Sequence, residues 1–139
     1  IVNTASLAGL TIAPTMAPYS ASKHAVVGLG RSLRAEGRGL GVKVTTLCPS
    51  FIESAIYENS IRAGIGDTAV RSLLAFPILP LDDGVRLLLA GVERNEELVV
   101  VPKLARSLWR TVRWAPWLLD RKMDAMLAKF RRRYRAVPE

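Results

Sequence analysis

Three short runs rich in β-branched and other apolar residues, at 1–5, 42–47 and 97–101, limit the possible folds of this chain more than any other feature. Each has the length and composition of a buried strand and is followed by Gly- or Pro-containing sequence. Between them the apolar spacing turns helical. In 19–37, Ala21, Ala25, Val26, Leu29 and Leu33 share one helix face and Gly37 supplies a stop. In 81–95, Asp82 and Asp83 mark a helix start ahead of a stripe at Val85, Leu88, Leu89 and Val92. Strand, helix, strand, irregular segment, helix, strand is the order of a parallel α/β sheet. The half-apolar composition of the 139 residues predicts a globular domain.

The chemistry gathers at the end of the first run. Tyr19 and Lys23 are four apart, so on a helix they share a face. A free phenol has a pKa of about 10, and a fixed ammonium beside it favours the anion and brings it toward the working range of an acid or base. Ser6, thirteen positions before the tyrosine, stands just past the carboxyl end of a strand, where ligands of open α/β sheets bind. His24 is the sole histidine. It points about 100° around the helix from Lys23, and with no Cys or acidic cluster at ligand spacing no metal site is expected. The single Cys48 excludes an internal disulfide and suits a reducing, cytoplasmic compartment.

Ile1-Val2-Asn3-Thr4-Ala5-Ser6-Leu7-Ala8-Gly9, the Tyr19-Ser20-Ala21-Ser22-Lys23 stretch and the second strand ending in Cys48-Pro49 together resemble the active-site half of a short-chain dehydrogenase/reductase. The resemblance implies the C-terminal portion of a Rossmann-type doubly wound sheet at 1–102, followed by a basic amphipathic helical tail at 103–139. It implies Ser6, Tyr19 and Lys23 as catalytic residues. Tyr19, Lys23, Pro49, Ser50, Ile52 and Ser54 are implied as contacts for NAD or NADP, which the sequence does not distinguish. Ile52 would act through its backbone. Pro49 to Ser54 resembles the family's Pro-Gly-x-x-x-Thr segment with two departures. Ser54 keeps the hydroxyl of the usual threonine, whereas Ser50 replaces a glycine and narrows the space for close backbone approach.

An upstream half is implied as well, because the chain starts within a strand and has no Gly-rich strand-to-helix turn. Gly37-Arg38-Gly39-Leu40-Gly41 follows a helix and precedes a strand, the reverse of the order that seats a phosphate. The expected activity is that of the whole protein: interconversion of an alcohol with a ketone or aldehyde by hydride transfer. A homo-oligomer is implied, paired through the Tyr/Lys helix. The irregular 54–76 segment reads either as a substrate cover or as a plain surface helix pair. Its Ile56, Tyr57, Ile61, Ile65, Leu73, Leu74 and Phe76 favour an apolar small-molecule substrate. A second reading is a non-catalytic, membrane-associated or scaffold protein that keeps the fold.

The net charge of +8 resides in the tail. Residues 1–101 balance nine Lys/Arg against nine Asp/Glu, while 102–139 hold eleven against three. Leu104, Leu108, Trp109 and Val112 form one apolar side. After Pro116, Leu119, Met123, Met126, Leu127, Phe130 and Tyr134 form another. Two roles stay open: packing on the domain or a second subunit, and peripheral contact with an anionic membrane. No nucleic-acid motif accompanies the arginines, so nucleic acid is not an expected partner.

Overall fold

The computed structural model describes residues 1–54 and 78–134. Strands β1 (Val2–Thr4), β2 (Thr45–Pro49) and β3 (Leu98–Val101) form a parallel sheet in that order, with Val2 opposite Thr45 and Thr46 opposite Leu98. Helix α1 (Ala17–Gly37) connects the first pair, α2 (Leu81–Glu93) precedes β3, and α3 (Lys103–Trp114) and α4 (Pro116–Tyr134) follow it.

Alternation along the strands assigns the helices to faces. A Cβ on Gly30 of α1 would collide with the Thr46 hydroxyl, whereas a Cβ on Gly91 of α2 would lie 2.5 Å from a methyl of Val99. Thr46 and Val99 have opposite side-chain parity, because Val99 pairs with Leu47. Hence α1 and α2 cover opposite faces, giving a three-layer α/β/α arrangement. The core on the α1 face is made of Ala5, Leu7, Val27, Cys48, Val100 and Ala105, with Val26, Leu108 and Trp109 packed against it.

Three expectations shift. The stripe of α1 predicted to face the core does not do so as a unit: Ala21, Ala25 and Leu29 are exposed, Leu29 by 55%. The inward residues include Ser20, Lys23, Val27, Gly30, Arg34 and Gly37. Two glycines there let the helix come close to the strand and to Val42, a contact that apolar periodicity does not register. Arg34, in the last turn of α1, is a clamp. It donates to the carbonyl of Val44 and, at 3.0 and 2.8 Å, to the side-chain and main-chain oxygens of Asn95.

The second strand starts at Thr45 rather than Val42. Gly41 takes a left-handed turn at φ 72°, Val42 N closes it on Gly37 O, and pairing begins only where β1 begins. In the tail, Ala105 replaces Leu104 on the inner side of α3. Ala105 is fully buried and Leu104 is 58% exposed, so the core continues past Pro102 into this helix.

Pro49 explains why the sheet opens where it does. Thr45 N donates to Ile1 O and Thr46 N to Glu97 O, so odd-numbered N–H groups of β2 face β1 and even-numbered ones face β3. The N–H that Pro49 lacks would have faced β1. Pairing with β1 accordingly ends at Leu47, while pairing with β3 runs on through Ser50 N to Val101 O at 2.8 Å. A crevice thus begins between the carboxyl ends of β1 and β2.

Candidate active site

Ser6 leaves β1 in extended conformation and caps a 3-10 turn at Leu7–Gly9, its Oγ accepting from Ala8 N at 3.2 Å. The cap fixes the oxygen and leaves the hydroxyl proton free to be donated elsewhere. Its backbone N–H donates to the thiol of Cys48, which links the serine to β2. Burial pushes the Cys48 thiol up to about 12, a rise that this hydrogen bond only partly opposes.

Helix α1 begins at Ala17 with Pro18 in its first turn, where a missing N–H costs nothing. Tyr19 lies one turn before Lys23 and remains 37% exposed. The Lys23 Nζ is 5.7 Å from the centre of the Tyr19 ring and donates to the carbonyl of Thr4, the last residue of β1, at 3.1 Å. That bond uses one of three ammonium donors and pins the cation at the crevice.

The Ser6 turn and the Tyr19 helix are fastened together twice. Ser20 Oγ donates to Ala8 O at 2.8 Å, and a Cβ on Gly9 would lie 2.5 Å from the Lys23 carbonyl oxygen. Sequence reasoning missed Thr4, Gly9 and Ser20 in these roles. A carbonyl and an absent side chain carry no chemical signature in sequence, and Ser20 reads there only as part of the Tyr-x-x-x-Lys interval. His24 is exposed, with Nδ1 2.9 Å from Ser20 O, a contact that is a hydrogen bond in the tautomer with its proton on Nδ1.

Pro49 and Ser50 continue the end of β2 beside Val101. Ser50 is half-buried: its N–H is committed to Val101, and its Oγ, a buried atom, has no hydrogen-bond partner among the described residues. Ile52 forms a parallel bridge with Leu79 through Leu79 N to Phe51 O and Glu53 N to Leu79 O. That pattern turns the N–H and carbonyl of Ile52 itself away from Leu79. Ser54 is exposed. The expected substrate cover, including the seven apolar residues from Ile56 to Phe76, lies outside the described residues apart from Ser54.

The model of the family described as short chain dehydrogenase matches residues 1–73, just over half of the chain and all of the candidate site. The chain belongs to the short-chain dehydrogenase family. Human 17-beta-hydroxysteroid dehydrogenase 13 is 31% identical over 119 residues, covering 84% of this chain and 36% of that protein. Two solved short-chain dehydrogenases are each 27% identical and match 86% of this chain. The first, from Sphingobium yanoikuyae in complex with NADPH, has a TM-score of 0.64 with 43% of its own chain covered. The second, from Burkholderia phymatum in complex with NAD, has a TM-score of 0.65 with 48% covered. The chain therefore spans less than half the length of these relatives. The short-chain dehydrogenase match ends at residue 73, before α2, β3 and the basic helices.

Proposed function

We propose that these residues form the active-site half of an NAD(P)-dependent oxidoreductase that interconverts an alcohol with a ketone or aldehyde. The observation that carries this reading is the Lys23 ammonium pinned by Thr4 within 5.7 Å of the Tyr19 ring, at the crevice that Ser6 borders. Tyr19 gives a proton to the carbonyl oxygen in reduction and takes one from the alcohol in oxidation. Lys23 stabilises the phenolate electrostatically. Ser6, its oxygen already oriented by Ala8 N–H, turns its proton to the substrate oxygen and stabilises the charge developing there.

The residues present fit the nicotinamide end of the cofactor. Ile52 has a peptide N–H and carbonyl directed away from its bridge, Ser54 offers an exposed hydroxyl, and Lys23 keeps two donors beyond Thr4 for ribose hydroxyls. The N–H of Ser50 does not serve this end, because it is bonded to Val101. When bound, the cofactor supplies or accepts the hydride. The NADPH and NAD bound to the two solved relatives support this assignment without choosing between them. The reading extends to a homo-oligomer paired through α1, supported by its exposed small-residue stripe of Ala21, Ser22, Ala25 and Ser32.

Fluorescence titration of the full-length protein with NADH and NADPH, followed by turnover on a panel of ketones, tests the proposal. Saturable binding of at least one cofactor together with reduction of a ketone is expected. Binding without turnover across the panel would favour the alternative, a fold-retaining scaffold.

A further inference from the structure

With Ala105, Leu108 and Trp109 packed into the core and Leu119 buried, the inner faces of α3 and α4 have partners. A second set of apolar residues has none among the described residues. Where α3 gives way to α4 at Ala115, Trp114 is 81% exposed, Trp117 59% and Leu118 48%. Arg110 and Arg113 flank Trp114 on α3, and Arg121 lies one turn beyond Trp117 on α4, all exposed. Asp120 and Asp124 are also exposed on α4, but eleven cations against three acids leave residues 102–139 strongly positive.

We propose that this elbow is a docking surface for an anionic membrane. The two tryptophans and Leu118 enter the boundary between headgroups and acyl chains, and Arg110, Arg113 and Arg121 meet the anionic headgroups. Trp suits that boundary because its ring is apolar while its N–H needs a polar partner. No described helix is long and apolar enough to cross a bilayer, so the contact is peripheral. The positive charge is spread over two successive helices rather than focused on one pocket, which complements an extended anionic surface better than a discrete acidic partner. The elbow follows β3, which β2 separates from β1 in the sheet. The inference does not depend on the proposed chemistry.

The test is co-sedimentation of the full-length protein with phosphatidylcholine vesicles, with and without phosphatidylglycerol. Two variants accompany it: Trp114→Ala/Trp117→Ala/Leu118→Ala and Arg110→Gln/Arg113→Gln/Arg121→Gln. All six side chains are exposed, and unchanged melting confirms folding. Phosphatidylglycerol is expected to raise the affinity of the wild type at least roughly tenfold, with high salt reversing the gain. Both variants are expected to lose most of this binding while keeping the mass of the wild type in sedimentation velocity. Equal pelleting on both vesicle types, wild-type pelleting by the variants, or no pelleting at all overturns the proposal. So does a change of oligomeric state in the apolar variant, which would make the elbow a subunit interface.

Discussion

Ser6 has two separable duties, and replacing it should expose both. Ser6→Ala removes the cap of the Leu7–Gly9 turn, at a cost of about 1 kcal/mol in stability. It also removes the donor proposed for the substrate oxygen, which should lower kcat by roughly 10²–10³. Thermal melts and steady-state kinetics of the full-length variant read the two effects independently. Cys48, bonded to the backbone of the same serine, makes a pH prediction. Its folded thiol holds its proton up to about 12 against an ordinary value of 9.0. Its stabilising contribution is therefore complete below pH 9.0 and is lost as the pH rises toward about 12. Urea melts at about pH 8 and about pH 10 should show wild type losing stability relative to Cys48→Ala as the pH increases. At this scale the sequence pointed to Tyr19, Lys23 and Ser6 as a candidate site through their functional groups and spacing. It was silent on Thr4 O, Ala8 O and Gly9, which act through the backbone or through a missing side chain.

Among the elements, α1 shows where hydrophobic periodicity misleads. Ala21, Ala25 and Leu29 form a plausible core stripe, yet they are exposed, because Gly30 and Gly37 on the other side allow closer approach to the sheet and to Val42. Gly30→Ala should destabilise by about 1–3 kcal/mol, since the added methyl meets buried Thr46, and denaturant melts would measure it. Leu29→Ala, on the exposed stripe, should be much milder in a monomer. Arg34→Ala should cost a similar 1–3 kcal/mol, because it leaves the carbonyls of Val44 and Asn95 without their donor. That role was hidden in sequence: Asn95 lies sixty-one positions away, and an arginine in the last turn of a helix is normally solvated. The order of strands and helices was legible because each run has the length and period of its element. The start of β2 was not, since only the register with β1 decides which of the β-branched residues pair.

For the whole molecule, the chain brings Ser6, Lys23, Tyr19 and the end of β2 to one side of a three-stranded parallel sheet, where Pro49 ends the pairing with β1. Membership in the short-chain dehydrogenase family rests on residues 1–73, and the basic helices beyond add a surface that the family match does not include. The role proposed for Tyr19 is to move the proton in a hydride-transfer reaction. Its most direct test is kcat of the full-length Tyr19→Phe variant on the best ketone or alcohol from the panel, with cofactor affinity measured alongside. Loss of the phenolic proton should reduce kcat by roughly 10²–10⁴ with cofactor binding largely retained. Turnover within a few-fold of wild type would contradict this role.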